Sequence, residues 1–176
     1  MIPYHGSDRY NAVARVLHWT IAVLLIGNLI GGLLHDALED VVRIMPTHKA
    51  VGITVLALSI ARLGWRIVSR TPPLPRDLPK WEIGAAHAAH TVLYILMIGL
   101  PLSGWIFSSA GKYPLSWFGL FDIPKFAVTK EDAIYGIAHE GHEVMAFVAI
   151  GLIVLHIGAA LRHHFVLQDS VLRRML

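Results

Sequence analysis

Four long apolar stretches dominate the pattern of hydrophobic and polar positions along the chain. Their most apolar parts are VLHWTIAVLLIGNLIGGLL (16–34), AVGITVLALSIARLGWRIV (50–68), TVLYILMIGLPLSGWIFSSA (91–110) and VMAFVAIGLIVLHIGAAL (144–161). Each approaches the roughly 20 apolar residues that carry a helix across a bilayer. Allowing about a turn at the ends, we predict membrane-spanning helices over about 13–34, 48–68, 88–110 and 141–163.

These spans predict an all-α integral membrane protein that folds as a four-helix bundle. No shift in composition or long linker divides the 176 residues, so we treat 1–176 as a single domain. The chain is 55% hydrophobic and 15% charged, whereas soluble domains carry about 25% charged residues. Because the opening residues lack the pattern of a removable signal peptide, we expect the first span to stay in the mature protein.

Lys and Arg residues are divided unevenly between the two sides of the predicted bundle. The side with both chain termini carries Arg9, Arg15, Arg62, Arg66, Arg70, Arg76, Lys80, Arg162, Arg173 and Arg174, and the other side carries Arg43, Lys49, Lys112, Lys125 and Lys130. Because basic residues are retained in the cytoplasm, both termini are predicted to be cytoplasmic. The basic residues border a bilayer, which supplies an anionic surface, so no nucleic-acid partner is expected.

Histidine is the main source of potential chemistry. The chain has no cysteine, which excludes iron–sulfur ligation, thiolate zinc sites and the attachment of c-type haem. It has 11 histidines, and neutral imidazole is the commonest metal ligand.

Four of these histidines pair by depth. His18 begins the first span near the inner surface, and His48 precedes the second span near the outer surface. His156 follows His142 by fourteen residues in the fourth span, a rise of about 21 Å with a net rotation of about 40°. His48 can therefore face His142 at the outer depth, and His18 can face His156 at the inner depth. The spacing predicts two bis-histidine sites of the kind that hold b haem in a bundle core.

The histidines also allow interpretations other than haem binding. An isolated His156 could simply hydrogen-bond a neighbouring helix, but four histidines that pair by depth favour haem ligation. His139 could compete with His142. The HEGHE string has an i, i+3 spacing and does not match the i, i+4 zinc-protease signature. For His87 and His90, a polar role beside a quinone or a hydrogen bond at a helix end is expected rather than metal binding.

Basic residues near the inner depth have two open interpretations. Arg62 and Arg66 share a face of the second span, where they could extend to lipid phosphates. Alternatively, one of them pairs with haem propionates and, with His163, lines a site for a quinone head group. Arg15 is a further candidate for the inner propionates.

Several motifs resemble the bacterial cytochrome b561 family of four-helix inner-membrane proteins. They are ARVLHW, THKAVGITVLALSIARLGWRIVSRTPPLP, GAAHAAHTVLYILMIGLPLSGW and GHEVMAFVAIGLIVLHIGAALRHHF, in this order, within about 10–170. The resemblance implies a multi-pass inner-membrane protein with two b haems, held by His18 with His156 and by His48 with His142.

The resemblance also implies a function. Members of the family move electrons between the outer haem and ubiquinone, and some oxidise periplasmic superoxide. For this chain we therefore expect a lipid bilayer, ubiquinone and superoxide as partners, and no obligate protein partner. Arg43, Lys49, Lys112 and Lys125 are candidates for attracting the anion. The long outer loop KYPLSWFGLFDIPKFAVTKEDAIYG, where the substrate surface would lie, differs from the family pattern, so the resemblance supports the superoxide assignment least.

Two alternatives stay open at this point. The chain could be a membrane cytochrome b subunit that passes electrons between a hydrogenase or dehydrogenase partner and quinone. It could also be a transporter or structural membrane protein whose histidines only hydrogen-bond between helices, which would give no Soret band.

Overall fold

The computed structural model describes residues 9–38, 40–72 and 78–176. Arg76, one of the basic residues on the predicted side with both chain termini, lies outside these ranges. The helices are α1 (Ala12–Leu33), α2 (His35–Leu38), α3 (Ile44–Val68), α4 (Lys80–Ser109) and α5 (Ala133–Phe165). A short hairpin of β1 (Leu115–Trp117) and β2 (Phe121–Ile123) and a 3-10 turn (Leu172–Arg174) complete the described elements.

The four predicted spans correspond to α1, α3, α4 and α5, which are long and apolar enough to cross a membrane. Two of them are longer than predicted, because α4 begins at Lys80 rather than near 88 and α5 begins at Ala133 rather than near 141. With 30 and 33 residues, these helices exceed the roughly 30 Å of a bilayer core at 1.5 Å per residue. Their added turns contain polar residues, so apolarity alone did not reveal them.

The bundle core is small and lies between the long helices. Helix α4 packs against α3 and α5, and α3 packs against α1. One buried cluster consists of Ile21, Leu25, Val55 and Met97, and a second consists of Leu96, Leu100 and Ala149. Many other large apolar side chains of the spanning helices are exposed on the isolated chain. This distribution suits helices whose outer faces contact lipid.

The segments next to the two termini meet at one end of the bundle, which we call the inner end. The backbone N–H of Tyr10 donates to the carbonyl of Arg174 at 3.1 Å. The Arg174 side chain is buried, and its Nη2 donates to the carbonyl of Pro72 at 2.6 Å. These bonds join the C-terminal segment to the start of the chain and to the end of the second span.

Four indole N–H groups tie the helices to other segments. Trp19 donates to the carbonyl of Met175 and Trp65 to the side chain of Asn11, both near the inner end. At the opposite, outer end, Trp105 donates to the carbonyl of Pro124. Trp117 in the hairpin donates to Oγ1 of Thr54. Tryptophans near the ends of spanning helices are typical of the aromatic belts of a membrane protein.

The outer hairpin is the part of the fold that the all-α prediction missed. Leu115 pairs with Ile123 and Trp117 with Phe121 in an antiparallel register. The turn places Phe118 and Gly119 at φ values of 51° and 76°, whereas the sequence has no Asn-Gly or Asp-Gly pair to mark such a turn. The hairpin packs against α3 and thereby covers one side of the bundle near its outer end.

Candidate functional site

The structure brings the four depth-paired histidines together as two pairs of imidazoles. The ring centroids of His48 and His142 are 6.2 Å apart, with an angle of 73° between the ring planes. Those of His18 and His156 are 6.3 Å apart, at 70°. Helix α5 contributes one histidine to each pair, and α3 and α1 contribute the partners.

These separations leave room for one metal ion between the rings of each pair. A metal–imidazole bond is about 2 Å long and the ring centre lies about 1 Å beyond the nitrogen, so imidazoles on opposite sides of one ion have centres about 6 Å apart. Within the described ranges, no group of three or more His, Cys, Asp or Glu side chains forms a metal site. Two protein ligands suit haem iron, whose porphyrin supplies the other donors.

The outer pair lies in a cavity of about 510 Å³. Its walls come from α1, α3, α4 and α5, and Leu115 of the hairpin closes one side. The lining is mainly apolar, with His48, His142 and a few polar groups among it. This combination of an apolar wall and facing ligands is what a large apolar disc such as haem requires.

Backbone carbonyls orient both imidazoles of the outer pair. Nδ1 of His48 lies 3.1 Å from the carbonyl oxygen of Asn28, and Nδ1 of His142 lies 2.9 Å from that of Leu100. A carbonyl oxygen can only accept, so Nδ1 carries the proton in each ring. This leaves Nε2 with the lone pair that a metal needs. The hydroxyl of Ser103 also lies 3.0 Å from Nδ1 of His142.

Each outer imidazole also lies against a glycine. A Cβ atom on Gly32 would be 3.1 Å from Cε1 of His48, and a Cβ on Gly104 would be 3.1 Å from Cε1 of His142. A larger residue at either position would displace the ring by a few tenths of an ångström. These two glycines therefore allow the close approach of α1 to His48 and of α4 to His142.

The inner pair has a third imidazole beside it. The ring of His90 on α4 is 5.5 Å from that of His156, at 68°. Sequence reasoning expected a polar role for His90 but did not place it next to a ligand candidate. Their depth could have indicated this contact, because His90 in the third span and His156 in the fourth span both lie toward the inner end.

A crevice of about 390 Å³ opens beside His90, between α3 and α4. Its polar lining consists of Arg66, His87, His90, Thr91 and Tyr94, and its apolar lining consists of Leu63, Ile95 and Ile98. The apolar residues Ile95 and Ile98 lie further along α4 from its inner end than His87 does. The crevice therefore offers polar groups at one end and apolar ones at the other.

The predicted arginines differ in their surroundings. The guanidinium groups of Arg62 and Arg66 lie 5.3 and 5.7 Å from the ring centre of Tyr94. Both are partly buried. Arg15 instead donates through Nη1 to the carbonyl of Leu176, while its buried Nε has no hydrogen-bond partner among the described residues.

His163 belongs to a separate polar cluster at the inner end. Its Nδ1 lies 2.5 Å from Oδ2 of Asp169, and its Nε2 lies 3.7 Å from Oε2 of Glu82. Glu82 also accepts a hydrogen bond from Arg162 at 3.2 Å. The crevice lining does not include His163, so the predicted quinone contact of this histidine stays a prediction.

His139 occupies a different position from His142. Its ring centre is 5.1 Å from that of Phe107 and 6.0 Å from that of Tyr135. His139 lines the outer cavity, but the ring facing His48 is that of His142.

Of the outer basic residues, Lys49 is the one that lines the outer cavity. Lys125 donates through Nζ to the carbonyl of Gly111 at 2.6 Å, and Lys112 and Arg43 are exposed. The cavity lining also includes Asp36 and Glu143.

Comparison with known proteins identifies the family. The family model described as prokaryotic cytochrome b561 matches residues 9–176. The chain belongs to the prokaryotic cytochrome b561 family. It is 33% identical to cytochrome b561 homolog 2 of Escherichia coli strain K12, over 96% of this chain and 92% of that protein. It is 28% identical to a protein named probable superoxide oxidase CybB of Yersinia pestis, over 96% of each chain.

Membership confirms the resemblance found in the motifs and implies haem b as a cofactor. The chain is a multi-pass protein of the bacterial inner membrane, and its family carries out membrane electron transfer with haem b. The apolar outer cavity, the free Nε2 positions and the 6 Å spacing of the imidazoles fit haem. The chain is also 29% identical to a protein named cytochrome b562 of Cereibacter sphaeroides, over 95% of this chain and 94% of that protein.

Proposed function

We propose that this cytochrome b561 protein is a dihaem oxidoreductase that carries electrons from superoxide on the outer side to ubiquinone near the inner side. His48 and His142 ligate the outer haem, and His18 and His156 ligate the inner haem. The observation that carries the proposal is the presence of two imidazole pairs with centroid separations of 6.2 and 6.3 Å. Each separation would allow the two imidazoles of a pair to hold one iron ion.

The orientation of the bundle in the membrane is part of the same proposal. Both termini face the cytoplasm, which is supported by the excess of Lys and Arg on their side. The hydrogen bonds that join Tyr10 to Arg174 and Trp19 to Met175 keep both terminal segments at the same end of the bundle, so one orientation applies to both. The hairpin then lies on the periplasmic side, where superoxide would be met.

The overall reaction balances with simple electron transfer. Two superoxide anions each lose one electron and leave as O₂, and one ubiquinone takes up two electrons and two protons to become ubiquinol. Haem iron supplies a centre that changes its charge by one electron. The protein holds the imidazoles, surrounds them with apolar side chains and presents Lys49 at the outer cavity, where a cation attracts an anion.

We assign the quinone head group to the crevice between α3 and α4. Its polar end includes His87, His90 and Arg66 as hydrogen-bond partners for the two ring oxygens, while Ile95 and Ile98 suit the apolar tail. His90 lies 5.5 Å from His156, so a quinone in this crevice would be close to the inner haem. Arg62 is assigned to the propionates of that haem.

The decisive experiment is a haem count followed by an activity measurement. A pyridine haemochrome spectrum of the purified protein should give two b haems per chain, and fewer than two would contradict the proposal. Under a steady superoxide flux, the protein should reduce ubiquinone, and added superoxide dismutase should suppress the reaction. A subunit of a hydrogenase or dehydrogenase complex would instead purify with a peripheral partner and react slowly with superoxide.

The superoxide assignment has one independent support among the relatives. The Yersinia pestis protein named probable superoxide oxidase CybB aligns with nearly all of this chain. An identity of 28% does not by itself assign the substrate. The test is therefore the measurement of ubiquinone reduction under a superoxide flux.

A further inference from the structure

The outer imidazoles carry hydrogen bonds that the inner ones lack. Nδ1–H of His48 donates to the carbonyl of Asn28, and Nδ1–H of His142 donates to that of Leu100. Such a bond makes an imidazole more electron-rich and favours the higher charge on a bound metal. In the described part of the chain, no ring nitrogen of His18 or His156 makes a hydrogen bond.

The charged groups at the outer cavity oppose one another. Its lining includes the partly buried Lys49 and the exposed acids Asp36 and Glu143, and Asp36 pairs with His35 at 2.9 Å. Because solvent screens exposed charges, these acids offset Lys49 only in part.

The inner site has basic neighbours instead. Arg66 lines the crevice next to His90, whose ring centre is 5.5 Å from that of His156. The partly buried guanidinium of Arg62 lies 5.3 Å from the ring centre of Tyr94, another residue of that crevice. Among the described residues that line this crevice there is no Asp or Glu. A partly buried positive charge stabilises an added electron more strongly than an exposed one, because solvent screens it less.

We propose that these differences make the inner histidine pair the site of higher reduction potential, so that the protein itself drives electrons from the outer to the inner site. The positive charge of Arg62 raises the reduction potential of the inner site. Ser103, whose hydroxyl lies 3.0 Å from Nδ1 of His142, contributes to the lower reduction potential of the outer site. The inference rests on the proposed function, since it requires a haem at each pair.

Two other sources of charge affect the difference in reduction potential between the two sites without removing it. Lys49 follows His48 directly in the chain and raises the outer potential, and the exposed acids Asp36 and Glu143 in the same lining offset it only in part. Each haem brings its own propionates, so their charge is common to both sites. The remaining difference comes from the carbonyl bonds outside and from Arg62 inside.

An optical redox titration of the purified dihaem protein tests the order of the potentials. Two waves are expected, and the His18→Ala variant, which retains the outer haem, should show only the lower one. If that variant keeps the upper wave, or if the wild-type waves coincide, the inference is wrong even though two haems are bound. Fewer than two haems in the wild type would instead remove the proposed function and this inference with it.

Two substitutions test the cause. Arg62→Gln should move the upper wave to lower potential and leave the lower wave in place, while Arg62→Lys should retain most of the wild-type value. Ser103→Ala should move the lower wave upward. The control is Arg70→Gln, which removes an exposed positive charge on the same side of the protein and should change neither wave.

The variant results have clear meanings. Equal shifts of both waves in Arg62→Gln, or no shift at all, would contradict a local effect of Arg62 on the inner pair. If Arg62→Gln loses haem, the comparison of Arg62→Lys with Arg70→Gln and the wild-type order of the waves still decide the question.

Discussion

Gly104 and His142 approach each other so closely that a Cβ atom on the glycine would lie 3.1 Å from Cε1 of the imidazole. Gly104→Ala should therefore push this ring away from its position and weaken its bond to the proposed outer haem. We expect the affinity of the outer site to fall by about tenfold, at the low end of the effect of residues that orient metal ligands. Haem occupancy at increasing haem concentration and the electron paramagnetic resonance spectrum of the outer haem would measure the change.

Gly84→Ala is the matched control on the same helix, because a Cβ at Gly84 meets no atom within 4 Å. It should leave both haems unchanged. The same comparison is available on α1, where Gly32 lies against His48 and Gly27 has no neighbour within 4 Å. Equal effects of Gly32→Ala and Gly27→Ala would show that helix packing, rather than the position of the imidazole, controls haem binding.

The two histidines of α5 should act independently. His156→Ala should remove the inner haem and leave the outer one, and His142→Ala should do the reverse. The reason is that the residues lie fourteen positions apart, about 21 Å along the helix, and face different partners. Haem per chain should fall from two to one in either variant. A simultaneous loss of both haems from a protein that is still folded by circular dichroism would argue against separate sites.

The four spanning helices and the pairing of the histidines could be predicted from the sequence. A fourteen-residue interval nearly completes four helical turns, so His142 and His156 must lie on nearly one face wherever the helix is continuous. The partners His18 and His48 then follow from depth. This reasoning works because a bilayer imposes both the length and the direction of each helix.

Other parts of the site were not accessible from the sequence. The carbonyls of Asn28 and Leu100 orient the outer imidazoles, but every residue has a carbonyl, so no residue type marks the one that will bond. The position of His90 beside His156 depends on the position of α4 along the axis of α5, which the sequence does not specify. The hairpin was missed because Trp117, Phe118 and Gly119 do not form a standard turn sequence.

Lys49 should attract superoxide more effectively than the other outer bases, because it lines the outer cavity. Lys49→Glu is expected to lower the second-order rate with superoxide by about tenfold at low ionic strength. Lys112→Glu makes the same change of charge at an exposed position outside that lining and should alter the rate by less than about twofold. Stopped-flow measurements across a range of salt concentrations provide the test. If both variants lose the same fraction of the rate, total charge rather than the position of Lys49 is responsible.

Trp117 should hold the outer hairpin in place through its hydrogen bond of 3.0 Å to Thr54. Trp117→Phe keeps an aromatic ring but removes the N–H donor, which we expect to cost about 1 kcal/mol of stability. Because Leu115 of the same hairpin lines the outer cavity, the outer haem should also dissociate faster. Thermal unfolding and haem transfer to an apoprotein acceptor measure the two effects. Trp81→Phe, at an exposed position of α4, is the control, and an equal loss of stability there would contradict the role of the hairpin bond.

The crevice and the His163 cluster give opposite predictions for quinone binding. If the head group binds in the crevice, His87→Leu should raise the KM for ubiquinone several-fold, because a hydrogen-bonding side chain is replaced by an apolar one. His163→Leu should then have little effect on KM, since this imidazole is held by Asp169 and lies near Glu82. Steady-state kinetics with a soluble short-chain quinone would separate these results, after a haem count shows that both variants retain two haems. A raised KM in His163→Leu together with an unchanged KM in His87→Leu would assign the quinone to the His163 cluster, which is one of the alternatives that the sequence left open.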